Sequence, residues 1–344
     1  MSELSLALLS FYKRSGRKLP WRTSNDPYQV WVSEIMLQQT RVETVKPYFL
    51  RFMKELPDVA SLANADEATY LKLWEGLGYY SRVRNLHKAA EMVMNDFGGV
   101  MPQNKQDLLR LSGIGDYTAN AIMAFAYNEN AIAVDGNLIR VYARLNARKI
   151  VPNEPKSKEE AERFFLKHID DGHAREINSA LMDLGELVCL PNGTPKCEDC
   201  PLAPFCKAHQ KGKETDYPLP KKKVEKRIQK RFVYLVVKEG KVYVQKRPST
   251  GLLAKLHEFP NIIASSPEEG LIELNIPAKS ISFALHSKHV FTHLVWEMDA
   301  YIVIPTRFEG GDGHFVDKDE LLDHCTLPSA FSPFLDYLLD NRYI

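Results

Sequence analysis

The chain has 344 residues, of which 44% are hydrophobic and 26% charged, enough for roughly two globular domains and too apolar for a disordered or fibrous protein. Lys plus Arg number 45 and Asp plus Glu 44, a net charge of +1, so any polyanion site has to come from local patches. No apolar run approaches the roughly 18 residues needed to span a bilayer, and Met1 to Lys18 carries its basic residues after its apolar stretch, the wrong order for a signal peptide. A soluble, cytoplasmic protein with no membrane partner is expected.

From residue 1 to about 206 the apolar residues recur at helical spacing, as at Leu71, Trp74, Leu77 and Gly78 and again around Ile122 and Ala126, with few strand signals. Turn residues at Leu19-Pro20, Asn25-Asp26-Pro27, Gly98-Gly99 and Met101-Pro102 fit an all-α assembly. Asp66 and Ser157 stand as N-caps before helix-like segments. Glu34 falls inside a strongly apolar helix, ahead of Ile35, Met36 and Leu37. Burial of a carboxyl raises its pKa and keeps a proton available near neutrality, which suits a general acid; a Glu on the solvent face is the bland alternative. Gly113 and Gly115 in Leu111-Ser112-Gly113-Ile114-Gly115 precede a helical run from Ala119 to Tyr127. That pattern predicts a helix–hairpin–helix whose glycines let the backbone approach a nucleic-acid phosphate. Asp135, between the apolar Ala131 to Val134 and Gly136, reads on its own as a turn residue or an N-cap.

Four of the five cysteines, Cys189, Cys197, Cys200 and Cys206, are spaced C-x7-C-x2-C-x5-C. Thiols gathered in one loop point to one inorganic centre rather than to disulfides. The spacing leaves zinc and an iron–sulfur cluster both open; the single compact loop, punctuated by Pro191, Pro195, Pro201 and Pro204, leans towards a [4Fe–4S] cube. Next comes a basic stretch, where Lys211, Lys213, Lys221, Lys222, Lys223, Lys226, Arg227, Lys230 and Arg231 face Glu214, Asp216 and Glu225, a local balance of +6. With Pro218 and Pro220 it reads as an exposed linker, or as a bridge between two modules on one polyanion. Beyond it the period switches: Phe232 to Val237, Lys241 to Gln245 and Leu294 to Ile304 read as strands, and Lys318 to Asp323 and Pro333 to Leu339 as helices.

The order of hairpin, helix, Asp135 and four cysteines resembles the endonuclease III superfamily of DNA repair glycosylases, over nearly all of residues 1–210. Within it the chain resembles the adenine DNA glycosylases of the MutY type. The resemblance is carried by Leu19-Pro20-Trp21-Arg22, Trp31 to Thr40, Gly76-Leu77-Gly78-Tyr79-Tyr80-Ser81-Arg82, the hairpin with Tyr117, Val134-Asp135-Gly136-Asn137, and the cysteine loop. The first cysteine interval is seven residues where the family usually has six; Asn192-Gly193 can absorb one residue in a turn.

This resemblance implies a multidomain fold: an all-α helix–hairpin–helix glycosylase domain (1–210) whose loop 189–206 holds a [4Fe–4S] cluster, a basic linker (211–229), and an α/β Nudix-like domain (230–344). It implies that Glu34 protonates N7 of adenine and that Asp135, with Asn137 beside it, stabilises or attacks the oxocarbenium-like sugar. Members with lyase activity carry a Lys where Tyr117 stands; a phenol forms no Schiff base, so a monofunctional glycosylase is expected. Arg17, Trp21, Arg22 and Leu37 are implied to wall the adenine pocket, and Gln38 and Tyr79, with Tyr80 alongside, to fill the gap left by the flipped base.

In the second domain Gly251 to Pro260 resembles the start of a Nudix box, but the carboxylate-rich helix that binds metal for pyrophosphohydrolysis is absent, and Pro267-Glu268-Glu269-Gly270 does not replace it. Lys288 to His293 resembles the family's loop for 8-oxoguanine, with Phe291, Thr292 and His293 as its centre and Thr in place of Ser. The implied partner is duplex DNA holding adenine opposite 8-oxoguanine or guanine, bound by a monomer in the cytoplasm at the nucleoid. The competing readings are a glycosylase/lyase of the endonuclease III kind, a non-catalytic iron–sulfur DNA-binding protein, and a nucleotide pyrophosphohydrolase.

Overall fold

The computed structural model describes residues 1–344 apart from 153, 170, 171, 221–224, 307, 309 and 310; Lys221, Lys222 and Lys223 of the basic stretch thus lie outside the described residues. The chain divides into two compact units, Met1–Ala65 with Arg82–Lys222, and Asp66–Ser81 with Lys223–Ile344. The described residues of the first unit form helices and no strands, and no described helix is long and apolar enough to cross a membrane.

Helices α1 (Glu3–Ser15), α2 (Pro27–Leu37), α3 (Val42–Glu55) and α4 (Val59–Asn64) are followed by α5 (Glu67–Trp74) and α6 (Ser81–Phe97). Then come α7 (Lys105–Leu108), α8 (Asp116–Phe125), α9 (Gly136–Leu145), α10 (Pro155–Leu166), α11 (Ala174–Leu187) and α12 (Lys207–Gln210). Asp26 caps α2 by accepting from the Tyr28 amide, with Pro27 in the first turn, where its missing N–H is harmless. Helix α2 is apolar nearly all round, and every residue from Val30 to Met36 is buried, as expected for a helix inside a core rather than on its surface.

Two local expectations change. Asp66 does cap α5, accepting from the Thr69 amide, but Ser157 lies buried inside α10, whose cap is Glu154. Pro155, with its φ preset for the first helical position, starts that helix before Ser157 is reached. The helical pattern through Leu77 and Gly78 also stops early: α5 ends at Trp74, and Gly76, Gly78 and Tyr79 take positive φ.

The second unit is built on a seven-stranded mixed sheet. Its strands are β1 (Arg227–Lys238), β2 (Lys241–Lys246), β3 (His257–Glu258), β4 (Asn261–Ile262), β5 (Ala278–Val290), β6 (Leu294–Pro305) and β7 (Gly313–Val316). The order is β3-β2-β1-β6-β5, with β4 on β1 and β7 on β2. β1 and β6 run parallel and β5 and β6 form a hairpin. Helices α13 (Pro267–Glu273), α14 (Lys318–His324) and α15 (Ser332–Asp340) complete it. β1 begins at Arg227, inside the range read from sequence as linker.

Residues 66–81, placed by the sequence reading in the first domain, group with this second unit. Glu75 accepts from the Leu327 amide at 2.7 Å, and Lys72 donates to the Cys325 carbonyl at 3.2 Å. Partners some 250 positions away leave no local trace in sequence.

In the first unit the extended segment leading to Asp135 is fixed by amide side chains. Asn178 is fully buried; its Oδ1 accepts from the Ala133 amide at 2.9 Å and its Nδ2 donates to the Ala131 and Ala174 carbonyls at 2.8 Å each. Asn120 Nδ2 donates to the Ile132 carbonyl at 2.9 Å. Replacing Asn178 by Ala strands buried backbone groups at about 1–3 kcal/mol each, so Asn178→Ala is expected to lower stability by about 2–4 kcal/mol in urea titrations; a loss below about 0.5 kcal/mol would show that these bonds do not hold the segment.

Candidate active site

Glu34 is 4% exposed in the middle of α2. The Tyr117 hydroxyl, from the first turn of α8, donates to its Oε2 at 2.7 Å. Burial pushes the Glu34 carboxyl up to about 7; the nearby Asp135 charge adds to this, while the Tyr117 bond and the Arg22 charge oppose it. Loss of water outweighs every stabilising contact the ionised form can make. Burial likewise raises the Tyr117 phenol well above its ordinary value, with Glu34 and Asp135 adding to it.

Asp135 is the N-cap of α9. Its Oδ1 accepts from the Leu138 amide at 2.8 Å and its Oδ2 from Asn137 Nδ2 at 3.0 Å. Asp135 therefore caps a helix, as its local sequence suggests, and shares a cavity wall with Glu34. Burial raises its pKa, against the pull of the Leu138 and Asn137 amides and the Arg140 charge. Asn137 is itself held, since Arg140 Nη2 donates to its Oδ1 at 2.7 Å and Gly185 of α11 leaves room for it. A Cβ on Gly185 would lie 2.6 Å from the Asn137 Cβ.

Glu34, Tyr117 and Asp135 line two adjoining cavities. One, of about 350 Å³, is also bounded by Arg17, Trp21, Arg22, Leu37 and Asn137, all expected from sequence, together with Tyr12, Arg175, Ser179, Met182 and Glu186 from α1 and α11 or its surroundings, which were not. The other, of about 490 Å³, is lined by Leu37, Gln38, Gln39, Gly136, Ile139 and Lys158 among others. The arginines are ordered by a residue the sequence reading missed. Asp183 has a fully buried side chain and takes Arg17 Nε at 2.7 Å and Arg22 at 2.8 and 3.0 Å. Burial alone would raise the Asp183 carboxyl, but the Arg22 and Arg17 bonds and charges hold it below its usual range. Its signal was present, a carboxylate in the apolar run Leu181-Met182-Asp183-Leu184, the same cue that singled out Glu34.

Arg82, on α6, fixes the far end of α2: its Nη1 donates to the carbonyls of Ile35, Met36 and Gln38 at 2.8, 3.0 and 2.6 Å. A cation at a helix C-terminus satisfies orphan carbonyls and meets the negative end of the dipole. The hairpin between α7 and α8 contains both expected glycines. Gly113 has φ +75° and no room for a Cβ beside Asn85, whereas Gly115 is the N-cap of α8 with open space around it.

The four cysteines of the loop line one small cavity, with Arg144, Lys196, His209 and Glu214 at its edge. Burial raises the thiols of Cys197 to about 11, with Glu214 and then the neighbouring cysteines adding to it, and of Cys200 to about 12, with the neighbouring cysteines adding, and raises Cys206 as well. Four crowded thiols with no disulfide are a donor set that fits an iron–sulfur cube or a zinc ion. Arg144 Nη1 lies 3.3 Å from Cys189 Sγ, and Arg140 Nε donates to the Cys189 carbonyl at 2.8 Å.

In the second unit, Phe291, Thr292 and His293 form the turn between β5 and β6. The Tyr79 and Thr292 hydroxyls meet at 2.7 Å, which joins two residues expected to touch DNA.

A profile of the HhH-GPD superfamily of base excision DNA repair proteins matches residues 32–167, and a NUDIX domain profile residues 232–337. The adenine DNA glycosylase of Buchnera aphidicola subsp. Baizongia pistaciae is 34% identical over 83% of this chain and 82% of its own length. The adenine DNA glycosylase of Homo sapiens is 38% identical over 60% of this chain and 39% of its own. Among solved structures, a thermostable thymine-DNA glycosylase aligns with a TM-score of 0.55 at 30% identity, covering 60% of this chain and 95% of that one. A trapped endonuclease III–DNA covalent intermediate aligns at 0.51 with 21% identity, over 62% and 99%, which speaks to the fold alone.

The raised Glu34 pKa has a consequence for stability. The folded state keeps a proton that the unfolded chain releases between the ordinary 4.5 and about 7, so this group's contribution is fullest below pH 4.5 and is lost as pH rises through about 7. Relative to Glu34→Gln, the wild-type protein is expected to lose on the order of 3 kcal/mol across that window, read from denaturation midpoints at several pH values. A difference that does not change with pH would show an ordinary, solvated carboxyl.

Proposed function

The chain belongs to the adenine DNA glycosylase family and is a base excision repair enzyme of the MutY type, and on that premise we propose that it hydrolyses the N-glycosidic bond of adenine paired with 8-oxoguanine or guanine in duplex DNA, leaving an abasic site. The observation that carries this reading is Glu34: a buried carboxyl with its pKa raised to about 7, in the wall of a cavity that Asp135, Arg17, Arg22 and Trp21 also line.

The flipped adenine occupies the 350 Å³ cavity, with Arg17 and Arg22 held in place by Asp183 and Trp21 as an apolar wall. Glu34 delivers its proton to N7. The electrons of the breaking C1′–N9 bond pass to the base, and positive charge grows on the sugar. The Asp135 carboxylate, oriented by Leu138 and Asn137, stabilises that charge in the two-carboxylate logic of glycoside hydrolysis. Water supplies hydroxide to C1′, and its remaining proton returns to Glu34. Tyr117 keeps the acid in one orientation and offers no amine for a Schiff base, so the strand stays intact. Gln38 and Tyr79 fill the vacated stack, Gly113 and Gly115 meet the backbone, and Phe291, Thr292 and His293 read the opposite base.

Cys189, Cys197, Cys200 and Cys206 hold a [4Fe–4S] cluster, which when bound cross-links four thiolates and contributes folding energy. The organisation is a glycosylase domain within 1–210, from which residues 66–81 group with the second unit, a linker from 211 to the start of β1 at Arg227, and a recognition domain beyond it, working as a monomer in the cytoplasm at the nucleoid.

Single-turnover incubation with a duplex carrying adenine opposite 8-oxoguanine is expected to give breaks at the adenine only after alkali. Breaks without alkali, or a borohydride-trapped complex, would contradict the assignment. Glu34→Gln is expected to slow excision by roughly 10²–10⁴-fold with DNA binding kept, and the wild-type rate to fall as pH rises through about 7, where the acid loses its proton. A rate unchanged by the substitution would remove Glu34 from the chemistry. The purified protein is expected to contain iron and acid-labile sulfide in equal amounts, lost together in Cys200→Ser; zinc as the bound metal would refute the cluster.

A further inference from the structure

Behind the β5–β6 turn lies a polar assembly that none of the roles above uses. Trp296 on β6 is 2% exposed, and its ring meets Phe291 of the turn at 4.9 Å between centroids. Two guanidiniums sit over that indole, Arg231 at 4.9 Å and Arg247 at 5.6 Å. Like charges on one ring repel unless something neutralises them. Glu258, 5% exposed, offsets part of that repulsion: it pairs with Arg247 and accepts from Asn261 Nδ2 at 2.7 Å. Asn261 relays the contact, since its Oδ1 accepts from Arg231 Nε at 2.8 Å. Trp296 Nε1 in turn donates to Gln229 at 2.9 Å. Both guanidiniums over the indole are thus themselves held, and the indole backs the aromatic anchor of the turn.

A loop that must tell one base from a near-identical one needs a fixed shape, because adjustable contacts accept both. Arg231 lies on the first half of β1, paired beside β6 in register with Met298, on the sheet face that also carries Trp296. The same strand start ties down the turn's backbone: Lys226 Nζ donates to the Phe291 carbonyl at 2.7 Å and the Arg227 amide to the His293 carbonyl at 3.3 Å.

We propose that Arg231 is a positioning residue for base discrimination: through Asn261, Glu258 and Arg247 it braces Trp296 against Phe291 and so presets the Phe291–His293 turn for the base opposite adenine. This rests on the proposed reading of that turn. Arg231 touches no reacting atom, so its loss acts on selectivity and leaves the chemical step alone.

The test compares single-turnover excision of adenine opposite 8-oxoguanine and opposite guanine by the full-length wild-type, Arg231→Gln and Arg231→Lys proteins, with thermal melts of each. Loss of a cation–π contact and its hydrogen bond predicts a roughly three- to tenfold fall in the 8-oxoguanine to guanine rate ratio for Arg231→Gln. The rate opposite guanine is expected to hold, and Arg231→Lys, which keeps the cation but loses the Nε bond, to recover part of the ratio. A folded Arg231→Gln with the wild-type ratio would overturn the proposal, as would an equal fall on both substrates. If Arg231→Gln fails to fold, an unchanged ratio in Arg231→Lys overturns it and a reduced one supports it. A wild-type protein with no preference for 8-oxoguanine would overturn the reading of the turn itself, a separate failure.

Discussion

The first unit is organised around a carboxyl group denied water. Helix α2 is apolar on nearly every side, so Glu34 has no solvent face to turn to, and one phenol donor does not replace the hydration that burial removes. Its neighbours meet the consequences. Arg82 pins the carbonyls at the end of the helix. Asp135 adds negative charge nearby, which favours the proton on Glu34. Two of the cavity's cations are committed elsewhere: Asp183 takes Arg17 and Arg22, which keeps them ordered in the wall.

Helix α9 ties this chemistry to the cysteine loop. Within ten residues it carries Asp135 at its cap, Asn137 and Arg140 on its first turns and Arg144 further on. Asn137 bonds Asp135, Arg140 bonds Asn137 and the Cys189 carbonyl, and Arg144 reaches the Cys189 sulfur. A loop that lost its fold would release Arg140, then Asn137, then the orientation of the second carboxylate. The order of the cysteine loop is thus coupled through α9 to the placement of Asp135.

What could be read from the sequence was chemistry packed into local patterns. Glu34 in an apolar run, the two glycines before α8, Asp135 before Gly136 and four clustered cysteines each announce themselves within a few residues. Asp183 carries the same cue as Glu34, a carboxylate in an apolar run, but no motif frames it. Other features depend on distant partners. The grouping of residues 66–81 with the second unit rests on bonds from Lys72 and Glu75 to Cys325 and Leu327. Strand β5 alternates at Ile281, Phe283 and Leu285, but it is an edge strand exposed over much of its length and lacks the strongly apolar run that marks β1 and β6 in the sequence. Ser157 failed as a cap because proline chemistry two residues earlier prevailed.

The central claim is that burial, more than any single partner, keeps a proton on Glu34 near neutral pH. Infrared difference or carbon-13 NMR titration of the protein with labelled glutamate, using Glu34→Gln to assign the signal, reads that proton directly. The account predicts a carboxyl that titrates near 7, far from the bulk of the glutamates; a Glu34 signal already ionised by pH 5 would contradict it.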